Sequence, residues 1–105
     1  MAGAYFEVLS LLGKRIRVSG SYWNFIVSMK HPIMSGKEVF VKNALSEPDE
    51  VRRSQKDRSV YVYYKRFKKN FISVVCKHLN GEGYIITAYI TDRIKIGEVV
   101  WQKPR

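Results

Sequence analysis

The chain has 105 residues and a formal net charge of +10, with 46% hydrophobic and 27% charged residues. That length holds one domain with one modest core, and the composition is that of a folded chain, which excludes intrinsic disorder. A single cysteine, Cys76, excludes an internal disulfide and a cysteine-rich zinc site, and no apolar run approaches the ~20 residues of a membrane-spanning helix.

The positive charge is unevenly placed. Residues 1–50 hold six Lys or Arg against five Asp or Glu, whereas residues 51–105 hold thirteen against four. Such a field concentrates polyanions, of which nucleic acid is the commonest, with an acidic protein surface as the alternative. No basic region precedes the apolar N-terminal stretch, and Lys14 and Arg15 follow it. A signal peptide is therefore not expected, and the chain reads as cytoplasmic with no membrane partner.

In chain order, Tyr5–Ser10 and Arg15–Val18 are predicted to form a hairpin around Gly13, with Leu11-Leu12 as a competing short helix. Tyr22, Trp23, Ile26, Met29 and Lys30 then fall at helical spacing. That helix must end near Lys30, because Pro32 pushes His31 out of the helical region. A second helix is predicted from a capping box of Ser35 and Glu38, with Val39, Phe40, Ala44 and Leu45 inward and Pro48 past its end. From Glu50 onward the runs Val51–Ser54, Ser59–Arg66, Phe71–Leu79 and Gly83–Thr91 are rich in β-branched and aromatic residues. Asn80-Gly81 marks a tight turn, and Val99–Trp101 could add an edge strand. The fold class expected is α+β: N-terminal helices packed on a curved antiparallel sheet of about four to five strands.

Uninterrupted alternation in the last long strand puts Tyr84, Ile86, Ala88 and Ile90 toward the helices, and Ile85, Thr87, Tyr89 and Thr91 on the other face. The register across the preceding turn is open at this stage. The reading adopted places Lys77 beside Thr87. Cations, hydroxyls and tyrosines on one face suit a phosphate-bearing polymer with stackable bases. Arg52 and Arg53 are adjacent on a strand, so only one of them can reach a shared site. Lys65, Arg66, Lys68 and Lys69 form a dense basic turn expected to contact a phosphate backbone. Tyr61, Tyr63 and Tyr89 are candidate stacking platforms. His31 is the sharpest candidate for proton transfer, because its ring titrates near neutrality and it stands at a helix exit, where the dipole favours a cation. His78, near a hairpin tip, is expected as an exposed turn residue. Asp49, Glu50, Asp57, Glu82, Asp92 and Glu98 form no ligand-spaced cluster, and no glycine-rich phosphate loop occurs, so neither a metal nor another cofactor is expected.

The stretches Trp23–Ile26, Lys30-His31-Pro32, Glu47–Ser54, Ser59–Tyr64, Val74–Lys77, Gly83–Tyr89, Thr91-Asp92 and Gly97–Trp101 carry a resemblance. In order and spacing the chain resembles the phage-associated nuclease-like family grouped with barnase, EndoU, colicin-type and RelE-type ribonucleases (PBECR, or BECR-fold, proteins). The resemblance implies a single nuclease-like domain over residues 1–105 whose sheet holds RNA. It further implies a toxin-like endoribonuclease in which the 2′-hydroxyl attacks the adjacent phosphate without a metal. On that likeness His31 is the general acid or base, and Arg53 and Lys77 stabilise charge on phosphorus. Ser54, Thr87 or Thr91 orients the phosphate. Phe25 stands where the family pattern often has a histidine, so Lys77 or Arg53 must take the second role, or activity is lost. Arg52, Ser54, Tyr63, Lys65, Arg66, Lys68, Lys69, Tyr89 and Thr91 are the expected RNA contacts, with tRNA and ribosome-bound mRNA as candidate substrates and an acidic antitoxin or inhibitor as a further partner. A domain that binds RNA or the ribosome without cutting, and a basic module for an acidic protein, are the alternative readings.

Overall fold

A computed structural model describes residues 3–104. Among these residues are seven strands: β1 (Ala4–Leu9), β2 (Arg15–Ser19), β3 (Glu50–Arg53), β4 (Val60–Phe67), β5 (Asn70–His78), β6 (Glu82–Thr91) and β7 (Glu98–Gln102). Two short α-helices, α1 (Gly20–Phe25) and α2 (Glu38–Ser46), lie between β2 and β3. All seven strands join one sheet in the order β1-β2-β6-β5-β4-β3-β7.

This corrects the expected fold class. The expected opening hairpin forms, but both its strands join the main sheet ahead of the helices, and that sheet has seven strands instead of four to five. It is also mixed, because β2 runs parallel to β6 through Arg15, Ile16 and Arg17 opposite Glu82, Gly83 and Tyr84. Local pattern cannot report that pairing, since its partners lie more than sixty positions apart. The β1–β2 hairpin closes where Gly13 takes φ +81°, a conformation that a residue without Cβ adopts freely.

The helical stretch from residue 20 to 34 is broken in a way that its sequence explains. The Ser19 hydroxyl accepts from the Tyr22 amide and caps α1. The chain then widens into a π-helical turn, Ile26–Lys30, closed by the His31 amide donating to the Ile26 carbonyl at 2.8 Å. His31 itself leaves the helical region at φ −140°, as its position before Pro32 requires. The capping box expected ahead of α2 does not form. Gly36 turns the chain at φ +79°, Lys37 occupies the capping position without a side-chain bond, and the Glu38 carboxylate instead accepts from the Tyr5 hydroxyl at 2.7 Å.

The core lies between one sheet face and the helices. Ile16, Val51, Tyr63, Ile72, Val74, Cys76, Ile85 and Ala88 meet Trp23, Ile26, Met34, Val41, Ala44 and Leu45 there, all buried. Cys76 is a small core residue, and burial pushes its thiol pKa up, away from reactivity.

β6 carries one extra residue. Val75 pairs with Thr87 but Cys76 pairs with Ile85, so Ile86 is a bulge. Alternation therefore restarts at Ile86, and Ile85 joins Ala88 in the core while Tyr84 turns outward. Gly83 sits tightly in the same pairing, since a Cβ there would collide with the Lys77 carbonyl oxygen. Gly83→Ala is expected to cost about 1–3 kcal/mol through overpacking of backbone on backbone. Gly81→Ala, whose Cβ would meet open space but whose φ is +78°, should cost about 1 kcal/mol. Urea unfolding of both variants checks the order.

Candidate functional site

Cross-strand pairs share a face, so the register assembles the face opposite the helices row by row. One row joins Glu50, Tyr64, Ser73 and Tyr89, and the next joins Arg52, Val62, Val75 and Thr87. Beyond these lie Val60, Lys77 and Tyr84 on one side, and Arg66, Phe71 and Thr91 on the other. Lys77 thus shares a face with Thr87, Tyr89 and Thr91, as expected. Of the two arginines it is Arg52, not Arg53, that joins them.

The connection from β6 to β7 must cross from the third position of the sheet to the last, and it passes over this face. The Lys95 amide donates to the Tyr64 hydroxyl at 3.3 Å, the Arg52 Nη1 donates to the Lys95 carbonyl at 3.2 Å, and the Lys95 ammonium stands 5.2 Å from the Tyr89 ring centre. Under this strap is a cleft of about 230 Å³ lined by residues that include Arg52, Ser54, Tyr64, Val75, Tyr89 and Lys95. Burial raises the pKa values of the Tyr64 and Tyr89 phenols, keeping both neutral donors. On the same face the Thr87 hydroxyl oxygen is buried without a protein partner. A buried hydroxyl left unpaired costs about 1–3 kcal/mol.

His31 enters from the side. The π-helical turn and the short 3₁₀ turn Pro32–Met34 pack against β6 beyond the reach of β2, and the Tyr22 hydroxyl satisfies the Ile86 carbonyl there at 2.7 Å. This brings the His31 ring to 5.5 Å from the Tyr89 ring at the rim of the face. Thr91, two positions on, donates its hydroxyl to the Arg93 carbonyl at 3.1 Å.

The cations of this face are partly matched. Lys77 Nζ lies 3.0 Å from the Asp57 carboxylate, and Arg52 pairs with Glu50, whose carboxylate is buried. Hydrogen bonds from Ser59, reinforced by Lys77, hold Asp57 down to about 2. Ser54 spends its hydroxyl on the amides of Lys56 and Asp57, fixing the turn that carries this acid.

Other expected contacts lie elsewhere. Arg53 is on the helix-side face, its Nε donating to the Arg58 carbonyl at 2.6 Å. Tyr63 is fully buried, its hydroxyl committed to Ser10 and His78, so it offers no stacking surface. At the β4–β5 turn, Lys68 takes φ 56° and lies with Lys69 exposed, Arg66 covers the Phe71 ring, and Lys65 donates to the Glu47 carbonyl at 2.7 Å. Lys65, Arg66 and Lys68 join Lys37, Phe40 and Phe67 around a hollow of about 680 Å³, a second basic and aromatic surface.

Sequence reasoning missed Tyr64 and Lys95, and it misplaced His78. Tyr64 could have been found by strand parity, since it is two residues from Val62. Lys95 sits on a connection with no local signal of where it crosses. His78 is a half-buried strand residue, not an exposed turn residue, and its ring stacks on Tyr61 at 3.9 Å.

Among the described residues no group of three His, Cys, Asp or Glu side chains comes together as a metal site, and no helix is long and apolar enough to cross a membrane. No family model matches the chain, and neither a curated protein nor a solved structure matches it.

Burial, with the nearby Lys14 charge adding to it, lowers the His78 pKa from 6.5 to about 4. The unfolded chain binds this proton first as pH falls, so the neutral ring contributes stability above pH 6.5 that is lost between 6.5 and 4. Discounted for solvent reaching the ring, the loss should be about 1 kcal/mol at pH 5. Urea unfolding at pH 7.5 and pH 5 should show that difference in the native chain and a smaller one in His78→Phe.

Proposed function

We propose that the polar face of the sheet binds RNA and cleaves it by attack of the 2′-hydroxyl on the adjacent phosphate. The observation that carries this reading is the placement of His31 against Tyr89, at the rim of a face that also holds Arg52, Lys77, Thr87 and Thr91. His31 takes the 2′-hydroxyl proton, the ribose oxygen bonds to phosphorus, and the 5′-oxygen of the next nucleotide leaves as the chain breaks. Lys77 and Arg52 stabilise the added charge on the phosphate oxygens. The leaving oxygen takes a proton from Lys77 or water.

An incoming phosphate competes with Asp57 for Lys77. That exchange is inexpensive, because an ion pair as exposed as this one is worth about 0–1 kcal/mol. Arg53 takes no role at this face, and Arg52 replaces it. These roles depart from those the resemblance implies at two positions, with Arg52 in place of Arg53 and the Ser54 hydroxyl spent on its own turn. RNA places the action in the cytoplasm, and an acidic inhibitor would cover the same basic face.

A second reading has its own observation. His31 is the one histidine placed at this face, so acid and base duties cannot be shared between two imidazoles. On that reading the domain holds RNA without cutting it.

Incubation of the purified chain with mixed RNA in EDTA decides between them. Products ending in 2′,3′-cyclic phosphate are expected, with kcat/KM falling about 10²–10⁴-fold in His31→Ala while RNA binding persists. Intact RNA with salt-sensitive binding establishes the second reading, and absence of both activities refutes the two together. Replacing Lys68 and Lys69 by Gln should lower the slope of log K against log salt by about 0.7 per lysine removed, without changing the cleavage chemistry.

A further inference from the structure

A second titratable cluster lies on the opposite face of the sheet and has no part in the reading above. Arg53, Tyr61 and His78 are neighbours there by register, since Arg53 pairs with Tyr61 and Tyr61 pairs with Cys76, two residues from His78. They form a stack of three. The Arg53 guanidinium lies 5.6 Å from the Tyr61 ring centre, and the His78 ring lies 3.9 Å from it at an interplanar angle of 14°.

Each member is held from behind. His78 Nε2 meets the Tyr63 hydroxyl at 2.9 Å, and that hydroxyl donates to Ser10 in the β1–β2 turn at 2.9 Å. Arg53 is fixed through its Nε on the Arg58 carbonyl. Lys14 is fixed by its bond to the Leu79 carbonyl at 3.2 Å. These bonds leave His78 Nδ1 and the outer N–H groups of Arg53 for a ligand. The side chains line a hollow of about 350 Å³ with Arg58, Ser59 and Leu79.

The charges there are poorly balanced. Arg58 is paired with Glu98 at 3.0 Å, but among the described residues neither Arg53 nor Lys14 has a carboxylate within ion-pair distance. Burial, and after it the unpaired Lys14 charge, disfavours protonation of the ring. A polyoxygen anion resolves this. It gives Arg53 a bidentate acceptor, neutralises Lys14, and lets His78 carry its proton as a third donor. The guanidinium fork fits two oxygens of a phosphate, and donors on both sides of the Tyr61 ring call for an anion whose oxygens point in more than one direction.

We propose that Lys14, Arg53 and His78 form a phosphate-binding site for a nucleotide, separate from the polar face. The phosphate comes either from a free mononucleotide or from a flanking part of an RNA strand that passes around the sheet edge at β3 and β7.

The chain's two histidines make the test direct, because one reports on each face. Ring resonances of both are followed by NMR through a pH titration of the full chain, alone and with inorganic phosphate. His78's midpoint should rise by about one pH unit, which corresponds to about tenfold tighter anion binding to the protonated ring. That rise should disappear in Lys14→Gln and in Arg53→Gln. A mononucleotide and a short oligoribonucleotide with no terminal phosphate are then added separately, and whichever moves His78 identifies the source. The proposal is overturned if none of these probes moves the midpoint, or if both variants respond like the native chain. A response confined to His31 overturns this site and leaves the polar-face reading standing.

Discussion

The extra residue at Ile86 is the constraint on which the two-faced character of this sheet depends. Without a bulge, a single parity would run the length of β6, and Ile85 would share the side of Thr87. With it, Ile85 and Ala88 both turn into the core while Thr87, Tyr89 and Thr91 remain together outside. The kink also frees the Ile86 carbonyl, which the Tyr22 hydroxyl takes up from α1. One backbone irregularity thereby completes the core and anchors the helical segment that delivers His31 to the rim.

The exposed face is not simply a solvated one. A β-sheet needs a single apolar face to fold, yet here the second face is roofed by residues 92–97, and Tyr64 and Ser73 beneath are almost fully buried. Burying Glu50 would be costly if its carboxylate were alone, and Arg52 together with Gln102 answers that cost. The same pairing fixes Arg52 with its remaining donors toward the cleft. Stability and ligand reach are therefore tied in this residue. Lys77 differs, because its partner Asp57 is on an exposed turn and can be exchanged.

Much of the strand pattern was legible locally. Val51–Ser54, Phe71–Leu79 and Gly83–Thr91 each lie within a residue or two of an observed strand, and Gly13 and Gly81 both sit at turns with positive φ. What was not legible depended on distance. β2 finds β6 after the helices have intervened, and β7 finds the far side of β3, so neither the strand count nor the mixed sheet follows from periodicity. The Ser35–Glu38 box failed because Gly36 turns the chain and α2 starts only at Glu38, leaving its carboxylate to Tyr5, thirty-three positions upstream. Tyr63 had the composition of a stacking platform but the parity of a core residue. Lys77 and Thr87 were correctly placed on one face, but the same alternation wrongly put Ile85 with them and Tyr84 toward the helices, because it could not see the bulge at Ile86.

Strand β3 serves both faces. Arg52 and Arg53 are consecutive, so the pleat sends one guanidinium under the strap and the other onto Tyr61. Each is then fixed through its own Nε, to Glu50 in one case and to the Arg58 carbonyl in the other. The four-residue strand thus presents one cation to each side of the sheet, and Gly97 lies close against it, since a Cβ added there would stand 3.0 Å from the Arg53 carbonyl oxygen. The alternation of one short strand therefore settles which arginine serves which face.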